Sequence, residues 1–368
     1  MIFIKDLKKH LIVLMVILCS LGVIGCGKDS EDNSDTIDTP VDILMVTDYG
    51  TVNDGSFNQG TWDGITQYAD ATGTVCDYYK PNGTSKDDFM EQIKRGVKNG
   101  AKVIVCPGYL FEETVYEAQK KYGDVKFILV DGVPHNEDYT DESIGENTLS
   151  ISFAEEQAGF LAGYAAVRDG YTNLGFMGGV PEDSVIRYGY GFVQGADYAA
   201  IEMGVEVNIR YTYTNTFDDI PLVETMAGTW FDDDTEIIFA CGGELGRGVI
   251  RAAEMYDGKV IGVDIDQSSE SEKVVTSAMK SLSEAVKRAL DSYSDGTFEG
   301  GISKKYSAVD DCVCLPMDTS RFEKFTEVEY ESIYTRLEDG TVSPYGNVDI
   351  GTTQELTLIN TFVTYINI

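Results

Sequence analysis

The side chains in this 368-residue chain that could do chemistry stand where strands end or loops begin: Asp48, Phe57, Asn58, Asp131, Phe217, Gly242-Gly243, Asp264 and Lys280. Two aromatic faces can sandwich a flat heterocycle, and carboxylates with an ammonium can bind hydroxyls, so the set suits a planar ring joined to a polyol. Each residue also has a plainer reading. The two Phe could be core, Asp48 with Asn53 and Asp54 could turn the chain and cap a helix, Asp264 could cap likewise, and Lys280 could be a solvated strand end. Hydrolytic or group-transfer chemistry is short of material: His10 and His135 are the only histidines, and neither a G-x-S-x-G nor a P-loop pattern occurs. The glycine loop 242–248 carries Glu244, which would repel a phosphate, so a nucleoside fits it better than a nucleotide.

These residues need strands and helices to hold them. Residues 43–46 form a short apolar β-type run, 50–55 a turn-rich loop, and from Ser56 the apolar spacing through Trp62, Ile65 and Ala69 turns helical. In an open α/β sheet a ligand sits outside the carboxyl ends of the strands, which places Asp48 and Phe57 toward it. Strands are predicted over 74–78, 102–106 and 125–130, with helices between them that put Phe89, Ile93 and Val97, then Phe111, Val115, Ala118 and Tyr122, on one face. A second series follows Leu149, with strands over 173–177, 205–213, 236–240, 259–263 and 273–280. Strict alternation predicts parallel, doubly wound sheets, and two series predict two similar lobes. Beyond Gly301 the pattern is strand-poor until the strand-like composition of 355–368.

A hydrophobic content of 43% is ordinary for a chain long enough to build two cores, but a formal charge of −34 is not. It excludes a nucleic-acid binder, since no Lys/Arg cluster occurs beyond the first ten residues. Lys5, Lys8 and Lys9 precede an apolar core over 11–18, and Val23-Ile24-Gly25-Cys26 follows. That is the layout of a lipoprotein signal peptide over residues 1–25, with Cys26 acylated as the first mature residue; the apolar segment is shorter than the roughly 20 residues a transmembrane span needs. Residues 26–40 are acidic and have little to bury, so they read as a flexible tether. Cys76, Cys106, Cys241, Cys312 and Cys314 are an odd set that reads as small hydrophobes, not a disulfide framework; Cys312-x-Cys314 has the spacing of a metal half-site but lacks a second half, so it reads as a strand with two thiols, and no metal or cofactor is expected.

The run Val46-Thr47-Asp48 followed by Asn53-Asp54-Gly55-Ser56-Phe57-Asn58-Gln59 resembles the opening motif of the basic membrane protein family, the PnrA-like purine-nucleoside-binding lipoproteins of bacterial ABC importers. The segment 152–163, Thr216-Phe217-Asp218-Asp219, Gly262-Val263-Asp264-Ile265-Asp266-Gln267 and Thr276-Ser277-Ala278-Met279-Lys280 match it in order, over nearly all of the mature chain. The resemblance implies a two-lobed, type I periplasmic-binding-protein-like α/β fold, each lobe a parallel sheet flanked by helices. It also implies a base stacked between Phe57 and Phe217 and hydrogen-bonded by Asp48 and Asn58, and a ribose held by Asp264 and Lys280. Gly243 and Asp131 complete the expected ligand set. The implied protein is no enzyme: it is lipid-anchored through Cys26 on the extracytoplasmic face of the cell membrane and hands its ligand to an ABC permease and its ATPase. Three departures stand out: Gly55 where the family usually has Lys, Asn53 in place of the motif's first Asp, and a 242–248 loop one residue longer. Lobes are expected at 41–150 plus about 268–300, and 151–267 plus about 301–368. A flat-ring vitamin or similar solute as ligand, or a surface sensor or receptor role, are the alternatives.

Overall fold

A computed structural model describes residues 40–48, 50–348 and 353–367. The expected signal peptide, the acylated Cys26 and all but Pro40 of the tether lie outside the described residues.

The first series runs β1 (Ile43–Val46), α1 (Phe57–Thr72), β2 (Cys76–Tyr79), α2 (Lys86–Lys98), β3 (Val103–Pro107), α3 (Glu112–Lys121), β4 (Lys126–Val130) and β5 (Thr148–Phe153). The second runs α4 (Glu155–Asp169), β6 (Asn173–Gly178), α5 (Asp183–Met203), β7 (Val207–Tyr213), α6 (Pro221–Asp232), β8 (Ile237–Cys241), α7 (Leu245–Tyr256), β9 (Lys259–Asp264) and β10 (Val274–Lys280). The chain finishes with α8 (Leu282–Ser294), β11 (Ile302–Tyr306), β12 (Val313–Cys314), α9 (Glu327–Glu338) and β13 (Thr361–Tyr365). A 6-stranded sheet has the order β11-β5-β4-β3-β1-β2 and a 7-stranded sheet the order β12-β10-β9-β8-β6-β7-β13. Every pairing is parallel except β10 with β12.

Period-two side-chain alternation sends each strand's apolar residues to both faces, and each face needs a helix layer. In the first sheet Leu44, Val46, Ile104, Cys106, Phe127 and Leu129 pack with Phe89, Ile93, Phe111 and Val115 from α2 and the segment through α3. Ile43, Met45, Val103 and Val105 pack on the opposite side with Ile65 and Tyr68 of α1. In the second sheet Met177, Ile238, Ala240 and Val260 meet Val223, Ala227 and Val249 of α6 and α7, while Phe176 and Phe239 belong to the larger core with Phe160 and Phe192 of α4 and α5. Cys106, Cys241 and Cys312 are buried and all five described cysteines are unpaired, in keeping with their reading as small hydrophobes.

Two segments lie in the opposite sheet from the one the sequence division gives them. Val274–Lys280, assigned with 268–300 to the first lobe, is β10 and pairs with β9 from Val274↔Val260 to Met279↔Asp264. Ile302–Tyr306, assigned with the tail to the second lobe, is β11 and pairs with β5 of the first sheet. Only α8 among the elements of 268–300 joins the first lobe, where Gly60 and Gly64 of α1 let it approach: a Cβ on Gly64 would stand 2.5 Å from the Ser283 carbonyl oxygen. The chain therefore passes between sheets after β5, after β10 and after β11. The strand-like composition near the end is also real, since β13 extends the second sheet beside β7.

Candidate functional site

A cavity of about 500 Å³ lies between the carboxyl ends of the two sheets, and all the residues singled out from the sequence line it. Asp48, Phe57, Asn58 and Asp131 come from the first lobe, and Phe217, Gly243, Asp264 and Lys280 from the second.

Asp48 follows β1 directly and Asn58 lies in the first turn of α1. Asn58 Nδ2 donates to Asp48 Oδ1 at 3.0 Å and to Asp54 Oδ2 at 3.0 Å, and the Gly50 amide donates to Asp48 Oδ1 at 2.5 Å. These bonds fix the amide and leave its oxygen buried without a hydrogen-bond partner. Burial raises the Asp48 carboxyl to about 6, against the pull of the Gly50 and Asn58 donors. Asp54 serves the chain turn, as its plainer reading has it: it accepts from the amides of Ser56, Asn58 and Gln59.

Asp131 and Asp264 stand in equivalent places, one just past β4 and one closing β9, and both have left-handed backbones with φ of 53° and 67°. Asp tolerates that region better than most side chains, and such departures concentrate where a side chain must be aimed. Ser56 Oγ donates to Asp264 Oδ2 at 2.5 Å across the lobes. Lys280, closing β10, donates to Asp131 of the opposite lobe and lies 3.5 Å from Glu155 and 3.5 Å from Asp264. Burial alone would strip its proton, but the carboxylates of Asp131, Asp264 and Glu155 more than offset this and hold the ammonium above its usual range. Its Nζ is 4.8 Å from the Phe57 ring centroid, a cation–π contact that also crosses the cleft.

Phe57 and Phe217 are both half-buried, packed on the margin of the large core and lining the cavity. Phe217 is seated by glycines: a Cβ at Gly179 would come within 2.3 Å of its ring and one at Gly242 within 2.8 Å, so any other residue there would displace the ring. Gly242 and Gly243 follow β8 with φ of 148° and 50°.

The sequence reading did not find Glu155, Arg187 and Tyr188. Glu155 opens α4 and is fully buried; its Oε2 accepts from Arg187 Nε at 2.7 Å. The two helices meet through reciprocal glycines: a Cβ on Gly159 or Gly163 would strike a backbone oxygen of α5 at 2.1 Å, and one on Gly191 or Gly195 a backbone oxygen of α4 at 2.0 Å. The available signal was a charged pair, Glu155-Glu156, heading an Ala/Gly-rich helix, with a lone Arg187 in an apolar stretch. Asp131 Oδ1, Glu155 Oε1 and Tyr188 Oη join Asn58 Oδ1 as buried atoms without a hydrogen-bond partner in the structure. Tyr109, Glu112, His135 and Tyr139 of the first lobe and Glu182 of the second also line the cavity; burial raises Glu182 to about 6, aided by Asp183 and Glu112. Among the described residues no group of three or more His, Cys, Asp or Glu is placed to hold a metal ion, and no helix is long and apolar enough to cross a membrane.

Comparison with known proteins gives a consistent picture. The family model described as "ABC transporter substrate-binding protein PnrA-like" matches residues 41–342. The chain is 28% identical over 343 residues to the ABC transporter nucleoside-binding protein BmpA of Lactococcus lactis, covering 86% of this chain and 94% of that protein. It is 26% identical to Basic membrane protein D of Borreliella burgdorferi, covering 89% and 91%. A solved solute-binding protein of an ABC transporter system from Aeropyrum pernix shares the fold at TM-score 0.73 and 20% identity, over 86% of this chain and 96% of that one.

Proposed function

The chain belongs to the PnrA-like family of ABC transporter substrate-binding proteins, and on that premise we propose that it binds a purine nucleoside between its lobes and delivers it to a permease. The carrying observation is the lining of the interlobe cavity, where half-buried Phe57 and Phe217 share the space with Asn58 Oδ1 and Asp131 Oδ1, buried acceptors that no protein donor reaches. Stacking on aromatic rings suits a purine of any substitution, and a buried acceptor left unpaired is costly until a ligand donor meets it. In this reading Asp48 and Asn58 meet the base, and Asp264 and Lys280 meet the ribose, with Asp131 and Gly243 beside them. The nucleoside-binding relative in L. lactis supports the ligand class.

The protein makes and breaks no bond. Its work is closure: Ser56 to Asp264, Lys280 to Asp131, Gln267 Nε2 to the Gly55 carbonyl at 2.8 Å and Arg247 Nη2 to the Asn53 carbonyl at 2.9 Å tie the lobes when they are together. A ligand touching both lobes adds to these ties and shifts the population toward the closed form that a permease would recognise. The lipobox-like Val23-Ile24-Gly25-Cys26 supports an acyl anchor at Cys26 holding the protein at the extracytoplasmic face of the membrane. Isothermal titration with inosine, guanosine and adenosine, set against the free bases and ribose, tests the ligand. Nucleosides should bind and either half alone should bind far more weakly; no heat with any nucleoside would end the claim.

A further inference from the structure

Arg187 lines the cavity from the first turns of α5, with its side chain 15% exposed. Its Nε is committed to Glu155 at 2.7 Å. The nearest other carboxylate, Asp183, is 3.8 Å from Nη1, beyond hydrogen-bond reach. Among the described residues, neither η nitrogen donates to a protein acceptor, although a guanidinium presents its five N–H donors in a fixed fork.

The fork is held rigidly. Glu155 heads α4, Arg187 sits near the start of α5, and the reciprocal glycine contacts allow no slack between these helices. Glu155 also lies 3.5 Å from Lys280, so Arg187 is one carboxylate away from the ammonium assigned above to the sugar. The buried Glu155 carboxylate already balances the guanidinium's charge; what remains toward the cavity is a set of donors and little net charge. Glu112, Glu182 and Asp183 line the same part of the cavity and oppose an anionic partner. The matching ligand group is a neutral oxygen acceptor close to Lys280.

We infer that Arg187, set in place by Glu155, contacts the ligand and helps decide its specificity by donating its η N–H groups to a hydroxyl oxygen of the sugar. This rests on the nucleoside reading and extends it to a residue outside the motifs that carry the family resemblance. Glu155 is a positioning residue here, acting through Arg187 and Lys280.

The test is a coupling measurement. Wild-type protein, Arg187→Lys, which keeps a cation against Glu155 but loses the fork, and Arg187→Met are titrated with inosine, its 2′-, 3′- and 5′-deoxy analogues and inosine 5′-monophosphate, with melting curves as the check of folding. Both variants should bind inosine roughly tenfold or more weakly, the scale of a lost charge-assisted hydrogen bond. One deoxy analogue, already weaker on wild type by a similar factor, should lose nothing further on the variants, because the same contact is absent from both sides. Equal additional losses for all three analogues would overturn the inference, as would variants that bind inosine like wild type. Tighter binding of the 5′-monophosphate than of inosine would reassign the fork to an anion and overturn it as well. A wild-type protein that binds inosine but ignores every sugar oxygen would sink this inference alone, whereas one that binds no nucleoside would sink the functional reading with it.

Discussion

Burial lifts the Asp48 carboxyl to about 6 against the Gly50 and Asn58 donors, so at neutral pH the folded protein carries a charge its surroundings disfavour. Because the folded value lies above the unfolded one, the native state holds the extra proton between roughly pH 4 and 6. The favourable contribution is thus complete below pH 4 and lost as pH rises through 6. Asp48→Asn removes this penalty: in chemical denaturation at pH 7 the variant should be more stable by about 1 to 3 kcal/mol, with the difference fading toward pH 4. Nucleoside affinity should fall in the same variant, as expected where a site is built at the expense of stability. The aromatic pair separates differently. Phe57→Ala and Phe217→Ala should each weaken nucleoside binding by about 1 to 3 kcal/mol in titration while the melting curve stays cooperative, since both rings are half-buried at the margin of the core. Unchanged affinity in both would put the stacking site elsewhere. The residues that line the cavity were legible because they follow strands or open the next helix, and strand ends converge in this architecture. Arg187 and Glu155 were hidden, because charges on helices carry no sign of a cavity and only the tertiary packing of α4 against α5 pairs Glu155 with Arg187 at the cavity wall.

The element that matters most for that packing is the α4–α5 pair. Gly159 and Gly163 face α5 and Gly191 and Gly195 face α4, so the backbones touch where other helices keep side chains between them. Gly195→Ala places a methyl 2.0 Å from the Phe160 carbonyl oxygen and must force the helices apart. We expect a loss of about 1 to 3 kcal/mol in thermal or urea unfolding, together with weaker ligand binding as Arg187 moves off Glu155. A control at Gly204, where φ is 69° and nothing lies within 4 Å, should leave binding unchanged while carrying its own backbone cost. The Ala and Gly that crowd 152–163 are the side chains small enough to permit the α4–α5 contact. The lobe assignment of β10 and β11 was not readable. An apolar parallel strand such as 274–280 fits either sheet, and Ile302–Tyr306, with two Lys in five residues, looks like surface because it is an edge strand. Which sheet a strand joins depends on its connections through space, and local pattern carries little of that.

At the scale of the whole molecule, three passages between the sheets make each lobe discontinuous in sequence. The first lobe draws α8 and β11 from beyond residue 280, and α8 covers Gly60 and Gly64 of α1. A fragment spanning residues 41–153 should therefore lack a cooperative thermal transition by circular dichroism, since one side of α1 and the edge of β5 would have no cover. A fragment that melted cooperatively would show that the first lobe needs neither element. Synthesis order gives the same wiring a further meaning. As the polypeptide leaves the ribosome, the half begun first is also left unfinished until Tyr306 has emerged, after five of the seven strands of its counterpart. A chain built this way cannot finish its first lobe until most of it has been translated.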